Sequence, residues 1–281
     1  MTITFALVAT GAMGAAIGQR LVENGARVVT TLDGRSDASI SRAKAAGIDT
    51  APADALAEAD IFLSIVPPNE ALPLAKRIGA AANARGRTLP YLDLNAKSPA
   101  LAHDIAATLA GYGLAMVDGT IIGAPPKTGT PGPTVYLAGP VGESIDVLRK
   151  YGLNAIFVEG GIGAAAALKM SYAAITKGLT ALCAASLLAA DRAGATNALF
   201  AELSASQPAL LAYLRRAIPD MLPKAYRWDP EMREITAYIG DPALGGAIYE
   251  GAADLYRTIA ADLRDNGELA DILRNAVADK S

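Results

Sequence analysis

The chain has very little cysteine and histidine, with one residue of each among 281. The single Cys183 excludes an internal disulfide and a multi-cysteine metal site, and its apolar surroundings predict a packed thiol in a reducing compartment. His103 has no acid or nucleophile pattern around it, so we expect a solvated or structural side chain. We predict no metal site.

Dense positive charge and a secretory leader are also missing. The net charge of -3 and the pI of about 5.3 exclude the electrostatic footprint of a general nucleic-acid binder. The N-terminus lacks a basic segment and a signal-peptide core, so it predicts a first strand. The apolar run at residues 160–190 could span a bilayer by length, but Lys169 and Lys177 inside it argue against a membrane span. We expect a cytoplasmic protein that acts on a small molecule, without nucleic-acid or membrane partners.

Short apolar runs alternate with amphipathic segments up to about residue 157, which is typical of a parallel sheet with crossover helices. Strands are predicted at 3–9, 27–32, 61–66, 91–94, 115–121, 134–138 and 155–158. Helices are predicted at 13–24, 36–46, 70–82, 99–110 and 142–150. After Gly163 the periodicity is helical and is broken mainly at Pro208, Pro219, Pro223, Pro230, Pro242 and Gly245-Gly246.

This pattern predicts an α/β fold of two domains. Residues 1–160 would form a Rossmann-type, doubly wound, mostly parallel sheet that binds a dinucleotide. A long helix would join it to an all-helical substrate and dimerisation domain at residues 161–281.

A glycine-rich turn, Ala9-Thr10-Gly11-Ala12-Met13-Gly14, follows the first predicted strand and opens the first helix. Gly11 would let the backbone approach a pyrophosphate, and Gly14 would let helix and strand pack closely. The helix N-terminus would attract the phosphate charge. Ala9 departs from the G-x-G-x-x-G pattern, and a tight turn without a ligand would look similar. The βαβ context favours cofactor binding by Gly11, Ala12, Met13 and Gly14.

Three further strand ends offer cofactor contacts. Asp33 could bind a ribose 2′-hydroxyl and favour NAD, whereas Arg35 and Ser36 could bind the 2′-phosphate of NADP. We favour NADP, because an arginine followed by a hydroxyl gives charge-assisted donors to a phosphate, and Asp33 keeps NAD open. The next two strand ends place Val66, Pro67 and Asn95 as candidates to border the nicotinamide.

Lys169 and Lys177 are the only charged residues in the apolar run at 160–190. Burial disfavours an ammonium group and lowers its pKa, which is typical of a lysine that does chemistry. Tyr172 lies three residues after Lys169 and so shares its helix face. Lys177 is turned about 80° from Lys169, so we expect it to form a salt bridge or to reach the surface.

These segments, in this order, resemble the β-hydroxyacid dehydrogenase superfamily, which includes hydroxyisobutyrate and phosphogluconate dehydrogenases, over nearly the whole chain. The family's substrate loop, Asp-x-Pro-Val-Ser-Gly-Gly, corresponds to residues 118–124. Its catalytic segment, Gly-x-x-x-Lys-x-x-Asn-Asn, corresponds to residues 165–173. The resemblance implies that Lys169 is the catalytic lysine and that Ile122 and Gly123 line the substrate site.

The departures from the family pattern are specific. Ile122 replaces the serine that would help bind a substrate carboxylate, and Tyr172 and Ala173 replace the asparagine pair. Residues 169–173, 225–228 and 231–232 resemble a less characterised NAD(P)-dependent branch with a distinct helical C-terminal domain. The Tyr172 phenol could take over from the missing asparagine as a catalytic group, or it could be a core aromatic.

Other polar and aromatic residues have candidate roles around the substrate. Gly123 could offer its backbone N–H to a substrate oxygen, and Lys127 and Thr128 could add polar contacts. Trp228 could form an aromatic wall of the site or belong to an interface. Because family members commonly dimerise through the helical domain, the resemblance implies a homodimer.

Three functions follow as hypotheses. The first is hydride transfer between a nicotinamide cofactor, NADPH favoured, and a small hydroxy or keto compound, with Lys169 as general acid/base. The second is an imine reductase, suggested by the likeness of residues 118–121 to loops of that related group. The third is a nucleotide-binding sensor or scaffold without catalysis, since fold alone does not establish function.

Overall fold

The computed structural model describes residues 2–127 and 129–278. The chain forms two compact units, Met1–Lys169 and Met170–Ser281. The predicted domain boundary after residue 160 lies before the point where these units meet. The long helix Ala164–Arg192 runs through that point without a break, so the predicted bridging helix is present.

The first unit contains one sheet, which has eight strands in the described part of the chain. The strands are β1 Thr4–Val8, β2 Arg27–Thr30, β3 Asp49–Thr50, β4 Ile61–Ser64, β5 Tyr91–Asp93, β6 Met116–Ile122, β7 Thr134–Ala138 and β8 Asn154–Phe157. Their order is β3-β2-β1-β4-β5-β6-β7-β8, and all neighbours are parallel except β6 and β7. Phe5 of β1 lies beside Val28 on one side and Ile61 on the other. The mostly parallel sheet confirms the predicted fold class.

Helices cover both faces of this sheet, as expected of a doubly wound fold. They are α1 Ala12–Glu23, α2 Asp37–Ala45, α3 Pro68–Ala84, α4 Pro99–Ala110 and α5 Ser144–Lys150. Side chains alternate across a strand, so Phe5 and Leu7 pack with α1, α2 and α5, whereas Ala6 and Val8 pack with α3 and α4. The sheet is therefore packed between two apolar layers.

The sequence-based boundaries agree with these elements to within about two residues, apart from two short elements that the prediction missed. Strand β3 consists of two residues, Asp49 and Thr50, which are both exposed. The second element is a 3₁₀ turn at Ala55–Glu58. Neither offers an apolar run long enough to recognise. Ser36 and Ser98 cap α2 and α4, since each side chain accepts a hydrogen bond from the backbone of its helix.

The second unit is helical throughout its described residues, 170–278, as predicted. Its helices are the remainder of α6 Ala164–Arg192, then α7 Thr196–Ser206, α8 Pro208–Met221, α9 Ala225–Ile239, α10 Gly246–Asp262 and α11 Glu268–Val277. Their apolar faces enclose one core around Leu187, Ile218, Met232, Tyr256 and Leu273.

Two prolines lie where the sequence predicted breaks, yet the helices continue through them. Pro219 is inside α8 and Pro230 is inside α9. A proline in a helix costs about 3 kcal/mol or more because it removes one donor and crowds the preceding turn. Burying one large apolar side chain gains about 1.5–3 kcal/mol. Helix α8 buries four such side chains, including Leu214, and α9 buries Met232 and Ile235. Packing of these faces therefore outweighs the local signal, and the predicted breaks at these two positions were wrong.

Helix α6 is, within the described residues, the one helix long and apolar enough to cross a membrane by length and composition alone. A helix in a protein core passes the same criterion, so this is weak support for a membrane span. Tyr172, Ile175 and Leu182 of α6 are exposed, and their spacing puts them on one stripe. The homodimer implied by the family resemblance stays a prediction.

Candidate functional site

The carboxyl ends of five parallel strands meet at one edge of the sheet in the first unit. Ligands of doubly wound folds bind outside this edge, where the strand order reverses. The order reverses here between β1 and β4. The segments after β1, β2, β4, β5 and β6 carry the predicted residues Gly11, Arg35, Val66, Asn95 and Gly123, so the structure brings them to a common edge.

The glycine-rich turn has the geometry of a phosphate cradle. Gly11 is the N-cap of α1, and among the described residues no side chain caps this end and no acidic residue occupies its first turn. A Cβ added at Gly11 would meet nothing within 4 Å, so this face of the turn is open to a ligand. At Gly14 an added Cβ would overlap the carbonyl oxygen of Ala9, which explains the glycine by close packing of α1 on β1. Ala12 is exposed and Met13 partly buried beside them.

The segment after β2 carries Arg35, whose guanidinium group has an unused hydrogen-bond donor in the described structure. Arg35 is half-buried, and its Nε atom is enclosed without a hydrogen-bond partner in the described structure. Ser36 caps α2 and is exposed, and Asp33 is exposed beside it. A buried guanidinium donor without a partner is costly, which favours an anionic ligand at Arg35.

Arg42, which the sequence analysis missed, fixes this end of β2 to the glycine-rich turn. Its Nε donates to the carbonyl oxygen of Thr10 at 3.1 Å, and its Nη2 donates to Ser39 Oγ at 3.0 Å. The Thr10 hydroxyl donates to the Ser39 carbonyl at 3.1 Å. These bonds hold the first turn of α2 against the loop that opens α1. A single arginine in a helix carries no sequence signal for this role.

Asn95 is a clamp between two strand ends. Its Oδ1 accepts from the Val66 N–H at 2.6 Å, and its Nδ2 donates to Ser64 Oγ at 2.8 Å. The side chain is buried, whereas Pro67 is exposed at the start of α3. The amide is therefore engaged at both ends with β4 and shapes the loop at Val66 and Pro67. Its predicted place beside the nicotinamide stays a prediction.

Lys169 lies in the second turn of α6, where it faces the end of β6. Its Nζ donates to the carbonyl oxygen of Ile121 at 3.0 Å. Burial lowers the pKa of the Lys169 ammonium group below its usual value. A lysine with this environment can exchange a proton nearer to neutral pH than an exposed lysine can.

The remaining predicted substrate residues differ in exposure. Ile122 is partly buried at the end of β6, and Gly123 adopts φ 127°, where a Cβ would crowd Pro133. Tyr172, one turn after Lys169 in α6, is half-exposed, so it is not the core aromatic of the alternative interpretation. Lys127 is exposed in the loop after β6, and Thr128 lies outside the described residues.

Lys177 and Trp228 belong to the packing of the second unit. Lys177 forms an ion pair with Glu231, and its Nζ lies 5.1 Å from the centre of the Trp228 ring. The salt bridge expected for Lys177 is therefore present. Trp228 packs edge-on against Tyr256, with ring centres 5.2 Å apart. These contacts give Trp228 a structural role, and its predicted substrate contact stays a prediction.

A fully buried lysine in the first unit was not foreseen. Lys97 follows β5 and is 0% exposed, with its Nζ 3.0 Å from Asp93 Oδ1 and 2.9 Å from Asp118 Oδ1. The spacing of four residues between Asp93 and Lys97 was a usable signal, because side chains so spaced after a strand can fold back on each other. In residues 2–127 and 129–278, no group of three or more His, Cys, Asp or Glu side chains could hold a metal ion.

Two families match parts of the chain. Residues 4–89 match a family described as NADP oxidoreductase, coenzyme F420-dependent, and this segment contains the glycine-rich turn and Arg35. Residues 190–259, within the helical unit, match a domain of unknown function, DUF1932. No curated protein matches the sequence significantly.

Solved structures resemble the chain over nearly its whole length. A conserved protein of unknown function, described as structurally similar to 3-hydroxyacid dehydrogenases, is 25% identical with a TM-score of 0.73, over 92% of this chain and 99% of that one. The 3-hydroxyisobutyrate dehydrogenase of Mycobacterium tuberculosis, solved with L-serine, is 18% identical with a TM-score of 0.72, over 99% and 100%. An imine reductase from Myxococcus stipitatus, solved with NAD+, is 20% identical with a TM-score of 0.61, over 99% and 100%.

Proposed function

We propose that this chain is a nicotinamide-dependent oxidoreductase. The family matches and the whole-length structural likeness assign it to the β-hydroxyacid dehydrogenase-like superfamily. In this proposal hydride would pass from NADPH to a small keto compound, or from the corresponding hydroxy compound to NADP+, with Lys169 as general acid/base. The observation that carries it is the Lys169 amine, desolvated and bonded to Ile121 O at the sheet edge that bears the glycine-rich turn.

The residues at this edge fit a dinucleotide. The open face at Gly11 and the uncapped N–H groups of α1, in the described structure, suit a pyrophosphate. The enclosed Nε of Arg35 suits a second anion, which favours the 2′-phosphate of NADP over the free hydroxyl of NAD. Asp33 is exposed and would accept a hydrogen bond from the ribose 2′-hydroxyl of NAD at the same position. A titration with both cofactors decides between NADP and NAD.

The residues of the chain would handle the proton. When bound, the nicotinamide cofactor supplies or accepts the hydride. Lys169 would donate a proton from Nζ to the substrate oxygen during reduction and accept it from the hydroxyl during oxidation. Tyr172, one turn later, would donate a hydrogen bond to the same oxygen and so stabilise its negative charge. Ile122 would exclude water and disfavour a substrate carboxylate where the family has a serine.

Imine reduction is the second candidate, and Ile122 favours it. A partly buried apolar side chain in place of the serine suits a substrate without a carboxylate, such as a cyclic imine. Lys169 argues against it, because imine reductases usually have an acid or a tyrosine at this position.

Cofactor titration followed by a substrate panel tests the proposal. NADPH and NADH are titrated first, and turnover is then measured with hydroxy acids, keto acids, ketones, cyclic imines and coenzyme F420. Lys169→Ala should bind NADPH as the wild type does and lose about 10²- to 10⁴-fold in turnover, the usual contribution of a general acid/base. Undiminished turnover in Lys169→Ala would refute the mechanism. Imine turnover without hydroxy-acid turnover would favour the second candidate.

Absence of turnover with the whole panel, together with NADPH binding and a partner that responds to it, would favour the sensor hypothesis.

The titration with NADPH and NADH also assigns the cofactor. Arg35→Ala should weaken NADPH binding by about tenfold to a hundredfold, as expected for one lost charged contact, and leave NADH binding unchanged. Lys44→Ala, on an exposed site of α2, is the matched control. Equal losses for both cofactors would contradict the NADP preference.

A further inference from the structure

The sheet register forces two carboxylates together inside the first unit. Asp93 of β5 and Asp118 of β6 are direct neighbours in a parallel pair, and both are 0% exposed. Like charges directly opposite each other in a sheet repel. Without a compensating charge, this register would be unfavourable in a buried setting.

Lys97 supplies that charge. Its Nζ lies 3.0 Å from Asp93 Oδ1 and 2.9 Å from Asp118 Oδ1, and it donates to the carbonyl oxygens of Asp93 and Gly119, both at 3.1 Å. All four oxygens belong to β5 and β6. One ammonium group therefore joins two adjacent strand ends through two carboxylates and two backbone carbonyls.

The second oxygen of Asp118 holds the start of α6. Asp118 Oδ2 accepts from the N–H groups of Gly163, Ala165 and Ala166, at 2.9, 3.0 and 3.3 Å. A carboxylate at this end satisfies the unpaired N–H groups of the first turn and complements the helix dipole. Asp118 is therefore shared between Lys97 on one side and the helix on the other.

The same helix touches the same strand a second time. Lys169, four residues after Ala165, donates to Ile121 O, and Ile121 is three residues after Asp118 on β6. The first turns of α6 are thus attached to β6 at two points. Asp118 accepts hydrogen bonds from the N–H groups at the helix start, and the Lys169 amine donates to Ile121 O. Displacement of the first attachment shifts the second, because a helical backbone is stiff over one turn.

We propose that Lys97 is a positioning residue for the reaction: by neutralising Asp93 and Asp118, it keeps Asp118 on the first turn of α6 and so fixes the Lys169 amine against Ile121. This inference rests on the proposed function, in which Lys169 transfers the proton. Lys97 itself is enclosed and does not touch substrate or cofactor in this arrangement.

The test compares Lys97→Met with the wild type by two readouts. The first is the pH dependence of acetylation of Lys169 by a brief pulse of acetic anhydride, measured by peptide mass spectrometry. The second is kcat and KM in the substrate panel, with NADPH affinity measured separately. Lys76→Met, an exposed lysine of α3, is the matched control.

We expect Lys97→Met to free the Lys169 amine from Ile121 O and expose it to water. Its titration midpoint should rise toward that of an ordinary lysine. Turnover should fall by about tenfold to a hundredfold, since a displacement of about 1 Å can cost 10²-fold. NADPH affinity should be unchanged, and Lys76→Met should match the wild type in every readout.

A charge-balanced variant separates positioning from folding. In Lys97→Met/Asp93→Asn, Asp118 is the one remaining carboxylate of the trio and still caps α6, so the Lys169 midpoint and kcat should return toward wild-type values. This variant also carries the measurements if Lys97→Met alone does not fold.

Two results would overturn the inference. One is a folded Lys97→Met variant with a wild-type Lys169 midpoint and a wild-type kcat, which would leave Lys97 a purely structural residue. The other is a folded double variant whose Lys169 midpoint and kcat stay away from the wild-type values. If the wild type turns over nothing in the panel, the proposed function fails, while the acetylation midpoints still decide whether Lys97 positions Lys169.

Discussion

Lys97 and Lys169 are both withdrawn from water in the same unit, yet their surroundings are opposite. Lys97 is fully buried and has two carboxylates within 3.0 Å of its Nζ. Lys169 is partly buried, and its Nζ donates to a neutral carbonyl oxygen, Ile121 O. Two carboxylates neutralise the charge of Lys97. Desolvation lowers the pKa of Lys169.

The difference separates structural from chemical use of a buried lysine. An ammonium group that is neutralised on site holds its neighbours in place, since removing it would leave uncompensated charge. An ammonium group without a counter-charge is easier to deprotonate, which is what a general acid/base requires. A third lysine, Lys177, is paired with Glu231 and only partly enclosed, so it lies between the two cases.

The largest stability effect should come from Lys97. Lys97→Met leaves Asp93 and Asp118 buried side by side without a cation, and we expect the free energy of unfolding to fall by about 3–5 kcal/mol. Urea unfolding followed by far-UV circular dichroism measures it. Lys76→Met, in the same unit, should change it by less than about 0.5 kcal/mol. A loss below about 1 kcal/mol in Lys97→Met would remove the contrast between the two buried lysines.

Lys169 should reveal its burial in the pH dependence of stability. Its pKa is lowered in the folded state, so between that value and the unfolded value of about 10.4 the unfolded state binds more protons. Stability of the wild type should therefore rise with pH across this window, relative to Lys169→Met, and be constant relative to it on either side. Tyr91 and Tyr256, whose pKa values burial raises, are present in both proteins and cancel in the difference.

Unfolding of wild type and Lys169→Met at pH 7, 8, 9 and 10 measures this difference. Lys76→Met, with an exposed amine, should run parallel to the wild type. A constant difference between wild type and Lys169→Met at all four values would contradict the desolvated lysine.

The smallest effect should come from Lys177. The Lys177 and Glu231 side chains are 18% and 43% exposed, and partly exposed ion pairs contribute about 0–1 kcal/mol. Lys177→Met should therefore cost no more than about 1 kcal/mol. Burial raises the pKa of Glu234 and the charge of Lys177 opposes it, so this variant should raise that pKa further. Fluorescence of Trp228, the only tryptophan, follows the unfolding; a loss like that of Lys97→Met would equate the two lysines.

Local patterns in the sequence predicted the first unit well. The strands of the parallel sheet are continuous apolar runs, and Ser36 and Ser98 mark the starts of their helices. The glycine-rich turn was interpretable because its place between β1 and α1 requires glycine at Gly14. Lys169 stood out because a charge in an apolar helix is rare.

The features that were missed depend on contacts between distant segments. The prolines inside α8 and α9 are tolerated because of apolar faces that pack only in the folded unit. The role of Lys97 depends on the register that sets Asp93 beside Asp118, 25 residues away along the chain. Arg42 meets Thr10 only after β2 pairs with β1. Such roles arise from topology, which residue spacing does not contain.

Helices α1 and α6 differ in what occupies their N-terminal ends. At α6 the carboxylate of Asp118 already occupies the positive end of the helix, so an incoming anion would meet a negative charge there. At α1, the N-cap is Gly11, which has no side chain to cap the N–H groups, so these groups are open to a ligand. The N-terminus of α1 therefore attracts a phosphate group, whereas the N-terminus of α6 repels it. In Asp118→Ala, the N–H groups of Gly163, Ala165 and Ala166 would lose their acceptor inside the protein.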